Sequence, residues 1–372
     1  MKLAWKEISR NKMRFVMIGL IILLITWLVF ILSGLGNGLS TLNAATIKNL
    51  PASHLVYQAE AEHKFSKSLI TATKVAEIEK QPGVKRATPL GTSIASVINE
   101  SQKDDKKTDI TLMGIIPGSF IEPEVVEGKA LTANKRDIIV DASIKEAGYK
   151  LGDTIQLSGF KRDYKIVGFV KGETFNHLPT IIYNITEWRD YRFTTPGSDD
   201  GVKAAANAIV VDTTSAFSAE AVEKKVKDTE VVTRAQAVQA MPGYAEENGT
   251  ILMMLAFLIV ISAFVIGVFF FVITMQKVNQ FGVMKAIGAN NRFISRMIIS
   301  QVSIISLISI VAGIALTYLT ALVFPAGMPF ALDIKMIVLY AVLLFIISVL
   351  SSVFSVRKIL KIDPLIALGR VE

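Results

Sequence analysis

The chain has 372 residues, 51% of them apolar and 19% charged, with a formal net charge of +8. That much apolar residue excludes an ordinary soluble globule, and the charge concentrated in the middle of the chain excludes a purely membrane-embedded one. The absence of cysteine excludes disulfides and thiolate metal sites.

Residues 1–14, MKLAWKEISRNKMR, are basic, and Leu3, Ala4, Trp5 and Ile8 can share one helical face. The pattern predicts an amphipathic helix resting on the cytoplasmic side of a membrane, with Trp5 at headgroup level. Residues 15–36 follow as an apolar run long enough to cross a hydrocarbon core of about 30 Å. The run exceeds the roughly 7–15 residues of a signal-peptide core, so a transmembrane helix is expected and not a cleaved leader. Gly34 and Gly38 at its outer end are a small-xxx-small pair. With Gly267 of the second span, they are the expected seam and lateral gate against a second copy.

Residues 37–249 mix helical and extended patterns, which predicts an α+β domain with its own core. A helix is expected over Ile70–Gln81, closed by Pro82 and Gly83, and a strand over Val84–Ile98. Lys103–Lys107 forms an exposed turn leading to a hairpin partner at Asp109–Ile116. Further strands are expected at Asp137–Val140, Thr154–Leu157, Tyr164–Val170, Thr180–Tyr183 and Ala208–Val211, and a helix at Phe217–Lys227.

Apolar runs return at residues 250–275, 297–324 and 336–356, with a short turn at 325–335 and a tail at 357–372. Between the second and third runs, residues 276–296 carry Lys277, Lys285, Arg292 and Arg296 and no acid. The positive-inside bias puts this insert and both termini in the cytoplasm and the large domain outside the cell membrane. The expected fold is an α-helical bundle of four transmembrane helices, with a large extracellular α+β domain between helices 1 and 2. The positive excess follows these short segments, so it marks topology and not nucleic-acid binding.

Within the insert, Val278, Phe281, Met284 and Ile287 recur at intervals of three, and Gly288 supplies a stop. Phe281, Met284, Lys285, Ile287 and Gly288 are therefore the expected docking points for a cytoplasmic partner that delivers force. No Asp, Glu, Lys or Arg lies mid-span, which argues against an ion-coupled carrier. The chain has no Gly-x-x-x-x-Gly-Lys-Ser/Thr phosphate loop and no Gly-x-Ser-x-Gly, and its histidines are His54, His63 and His177. No catalytic site, resident cofactor or metal is expected, and any ATP must be hydrolysed by another subunit.

This layout resembles the FtsX-like, MacB-type permeases of ATP-driven (ABC) transporters. FGVMKAIGANNRFI is similar to the family's cytoplasmic motif, and Asp363–Gly369, DPLIALG, to its C-terminal signature. Gln81–Val84, Val126–Ala130, Gly152–Asp153 and Val167–Gly168 resemble its outer domain. One departure is Gln280–Phe281, where the family often has an acid before the Gly. The resemblance implies a homodimer with two cytoplasmic ATPases, and cargo leaving laterally from the outer leaflet between helices 1 and 2. MKLAWKEI, SGLGNGL and GYAEEN are similar to the haem-exporting permeases of Gram-positive bacteria. That narrower resemblance implies haem as substrate, with Tyr244 at the matching place and Met241, Glu246 and Glu247 beside it. Two other readings stay open: efflux of a peptide, lipoprotein or antibiotic, or a mechanical relay to a cell-wall hydrolase or sensor kinase.

Overall fold

The computed structural model describes residues 7, 10, 12–99, 107–195, 198, 201–325 and 328–360. Leu3, Ala4, Trp5 and Ile8 of the amphipathic segment, Lys103 to Lys106 of the turn and the DPLIALG signature lie outside the described residues. The chain forms two compact units. One holds the membrane spans up to Gly38 and from Gly249 onward, and the other is Leu39–Asn248.

The first helix, α1, is Lys12–Asn49 and runs 13 residues past the predicted end of the span at residue 36. It continues because Leu39 to Asn49 has a second apolar face: Ala44, Ala45, Ile47 and Leu50 are buried in the extracellular domain. The domain's elements follow in chain order. They are β1 (His54–Gln58), β2 (Ile70–Thr71), α2 (Lys74–Glu79), β3 (Val84–Asn99), β4 (Lys107–Ile115), β5 (Val125–Gly128), β6 (Asp137–Asp141), β7 (Thr154–Leu157) and β8 (Phe160–Val170). After them come β9 (Thr174–Phe175), β10 (Leu178–Asn184), α3 (Ile185–Arg192), β11 (Ala205–Ala206), β12 (Ala208–Thr213), α4 (Ala219–Lys225), β13 (Thr229–Thr233) and α5 (Arg234–Gln239).

The main sheet runs β13-β1-β12-β3-β4-β10-β6-β8-β5, with β7 against β3 and β8 and β9 against β10. The expected hairpin is β3–β4, antiparallel from Gly91–Gly114 to Ile98–Lys107. The pairs β4–β10 and β6–β8 are parallel. Core residues cover both faces of the sheet, which is why β6, DIIVD, is buried throughout instead of alternating. The helix expected over Ile70–Gln81 is shorter than its propensity suggests, because Ile70 and Thr71 pair with Ala206 and Ala205.

Three helices complete the bundle: α6 (Tyr244–Gln276), α8 (Asn291–Ala321) and α9 (Ile334–Leu360), with the short α7 (Val278–Ala286) between α6 and α8. With α1 they are, among the described residues, the four helices long and apolar enough to span a membrane. The helix α8 begins earlier than its apolar run at 297, because the Asn290 side chain accepts from the Phe293 N–H and caps it.

Candidate functional site

The connection from α6 to α8 is built on a buried cation. Lys277 is 3% exposed, its ammonium pairs with the Glu7 carboxylate and it lies 5.0 Å from the centre of the Phe15 ring. Glu7 also accepts from Gln301 Nε2 at 2.5 Å, so both ends of the pair are hydrogen-bonded, as a buried ion pair requires. From this anchor α7 turns Phe281 into the core of the bundle, where it is 4% exposed, and leaves Met284 half-buried against the same core. Ile287, in contrast, is 81% exposed, and Val283 is exposed beside it. The expected single docking face of Phe281, Met284 and Ile287 is therefore corrected. Phe281 is a packing residue of this chain, and the outward apolar residues are Val283, Ile287 and Phe293. Lys285 is half-buried, and Gly288, at φ +100°, ends the helix. Arg292 and Arg296 are exposed on the first turns of α8 and line a shallow depression with Ser295 and Ile299.

Gly34 and Gly38 of the expected seam are packed within their own chain. A Cβ on Gly34 would stand 2.4 Å from the Phe330 ring, and one on Gly38 would stand 2.2 Å from the Pro329 carbonyl oxygen. These glycines admit the α8–α9 connection of their own chain, whose Phe330 and Pro329 lie against them. Gly267 sits in ordinary contact with Ser351 of α9, in a groove that also holds Phe264 and Phe354.

The third group lies in the extracellular unit at the start of α6. Tyr244 is half-buried, and its hydroxyl receives a hydrogen bond from Ser40 Oγ at 3.0 Å. Lys48 Nζ donates to Ser40 Oγ at 2.8 Å and lies 5.1 Å from the centre of the Tyr244 ring. One turn along α6, Glu247 accepts from Asn43 Nδ2 at 3.3 Å and stands 3.4 Å from His177 Nε2. Glu246 is exposed on the neighbouring position. Phenol, imidazole, carboxylate and ammonium groups thus converge around the first turn of α6. Ser40, Asn43, Lys48 and His177 were invisible to sequence reasoning. The one local signal is the left-handed backbone of Asn176 and His177, which no sequence pattern announces. Met241 meets this group through its carbonyl, which accepts from the Tyr244 N–H at 3.1 Å, while its side chain is buried in the domain core after α5 and lines a cavity.

Residues 15–229 match the MacB-like periplasmic core domain, and residues 252–364 match the FtsX-like permease C-terminal region. The chain belongs to the FtsX-like, MacB-type permease family. Similarity extends along the whole of this permease. A Staphylococcus haemolyticus protein named for hemin transport, the permease HrtB, is 27% identical over 372 residues, covering 100% of both chains. An uncharacterised ABC transporter permease of Mycobacterium bovis is 25% identical over 374 residues, covering 98% of each. Among solved structures, the periplasmic region of MacB from Actinobacillus actinomycetemcomitans aligns with 52% of this permease and 94% of its own chain. That alignment has 16% identity and a TM-score of 0.38. The relatives are ABC permease subunits, which work with a separate ATPase subunit.

Proposed function

We propose that this permease, as a homodimer driven by cytoplasmic ATPases, extrudes haem laterally from the outer leaflet, with both of its termini on the cytoplasmic face. The observation that carries the reading is the Tyr244, His177, Glu247 and Lys48 group at the outer end of α6. Ferric haem iron accepts phenolate or imidazole, and its propionates pair with ammonium groups. A phenol and an imidazole in one compact unit therefore offer axial ligands, and Lys48 offers a propionate partner. The chain-long similarity to permeases named for hemin transport supports the same cargo.

Docking of the ATPase is assigned to the outward residues of the α6–α8 connection, Val283, Ile287 and Phe293, flanked by Arg292 and Arg296. The group at α6 is tested by Tyr244→Phe, which keeps the ring and removes the oxygen. The expected result is at least about a tenfold loss of haem affinity, with an altered absorption spectrum and lower haem resistance in cells. An unchanged spectrum together with unchanged resistance removes Tyr244 as a ligand. His177→Ala read in the same way then tests the imidazole.

A further inference from the structure

The extracellular domain contains a cavity of about 610 Å³, a size typical of small-molecule sites, which run to roughly 300–1,000 Å³. Its charge is one-sided. Lys64, Arg192 and His63 line it, and no carboxylate does so among the described residues, although the domain as a whole carries many acids. The nearest acid on the same loop, Glu62, holds Lys67 at 2.5 Å and Lys64 at 3.2 Å as an exposed pair, a contact that a ligand carboxylate can replace at little cost.

The apolar part of the lining is aromatic. Phe65 and Phe175 meet edge to face at 5.7 Å between ring centres, and Phe160 and Tyr191 do so at 5.6 Å. Ile94, on β3, also lines the cavity and is 59% exposed even though it sits on a strand of the central sheet. Two polar residues of the lining are committed within the chain: Asn207 is buried and donates to the Phe65 and Ser68 carbonyls, and Thr111 donates to the Phe175 carbonyl. The lining therefore presents aromatic faces to a ring body, and hydroxyls and the cations Lys64 and Arg192 to a polar or anionic end. His63 and Asn176 on the lining hold left-handed backbones, strain of the kind that persists where surrounding structure fixes a binding surface.

We propose that this cavity is a binding site for a flat, ring-bodied amphiphilic carboxylate, with the rings against Phe65, Phe160, Tyr191 and Ile94 and the carboxylate on Lys64 and Arg192. The cavity lining includes neither Tyr244, His177, Glu247 nor Lys48, and the assignment does not depend on haem being the exported cargo.

Trp188 provides the readout. Its Nε1 donates to Ser93 Oγ at 3.0 Å, and Ser93 lines the cavity. With Trp5 and Trp27 replaced by Phe, Trp188 is the remaining tryptophan of the full chain. The full-length permease in nanodiscs of neutral lipid is titrated with 1-pyrenebutyrate, and in parallel with the uncharged 1-pyrenebutanol, against empty nanodiscs. Energy transfer from Trp188 to pyrene is recorded. The expected result is saturable transfer for the acid, weakened by about tenfold in the double variant Lys64→Glu, Arg192→Glu. Binding of the alcohol is expected to be indifferent to that change, and Tyr244→Phe is expected to leave both curves unchanged. Ile94→Asp, at an exposed position that leaves the core intact, should weaken both probes. Absence of saturable transfer overturns the assignment. So does equal binding of the acid by the charge-reversed chain, or loss of transfer in Tyr244→Phe.

Discussion

Glu173 shows how far a residue can depart from what its neighbours in sequence suggest. KGETF reads as a polar turn, yet the Glu173 side chain is 6% exposed, and burial pushes its pKa up from 4.5 to about 7. Hydrogen bonds from Asn49 and Thr46 pull the other way, and the Asp141 carboxylate adds to the rise. Because the folded state holds this proton more tightly than the unfolded state, stability is full below about pH 4.5 and is lost as pH climbs through about 7. The span corresponds to about 3 kcal/mol. Glu173→Gln should flatten thermal unfolding between pH 5 and about 8 and raise the midpoint at the alkaline end. A variant whose midpoint falls with pH as steeply as wild type would assign the effect to another group. Since Asn49 ends α1, this titration also acts on the attachment of α1 to the sheet of the extracellular domain. None of it was legible in the sequence, because the partners come from α1 and from the β6 end at Asp141, far from Glu173 along the chain. The same distance hid His177 and Lys48 from the Tyr244 group, of which only Tyr244 and its neighbour Glu247 were legible in the sequence.

At the scale of an element, α7 shows why a correct periodicity can still misassign a face. Residues 281, 284 and 287 are spaced by three, but an α-helix turns by about 100° per residue, so each step of three falls about 60° short of a full turn. Over two steps Ile287 drifts about 120° from Phe281, and the stripe winds from the bundle core to the exterior. The helix, its position after α6 and its stop at Gly288 were readable, whereas the direction it faces was fixed by the Lys277–Glu7 pair and the packing of Phe281. Two substitutions should therefore separate. Phe281→Ala removes a buried ring and should destabilise the bundle by about 3–5 kcal/mol, lowering its unfolding temperature in detergent. Ile287→Asp sits in the open and should leave that temperature unchanged, while abolishing stimulation of the partner ATPase if this face is the proposed docking site. Equal stimulation of the ATPase by Ile287→Asp and wild type would exclude this face from docking.

For the whole molecule the decisive feature is that α1 and α6 do not stop at the membrane. The four-helix bundle and the α+β domain were both legible, since apolar run length and β-rich alternation are strong signals. The continuity of α1 was not. Its three glycines, Gly34, Gly36 and Gly38, have the look of a helix exit, each costing a helix about 1 kcal/mol relative to Ala. They are helical because Phe330, Ile251 and Pro329 press against the backbone where any side chain would collide. At 1.5 Å per residue the 38 residues of α1 extend about 57 Å against a hydrocarbon core of about 30 Å, so nearly half of the helix lies beyond the apolar region. Its last turns end in the buried Ala44, Ile47 and Leu50 of the extracellular core. The backbone of α1 is thus helical from Lys12 to Asn49, with no loop between the first span and the start of the extracellular domain. A proline at Leu39, inside α1, removes one helix hydrogen bond and costs about 3 kcal/mol locally, without altering the apolar run that directs insertion. If an unbroken α1 is needed for the proposed haem export, Leu39→Pro should insert and support ATP hydrolysis by its partner as wild type does, yet lose that export, measured as haem resistance in cells and as haem retained in membranes. Normal export by Leu39→Pro would show that the continuity of α1 is not needed for transport.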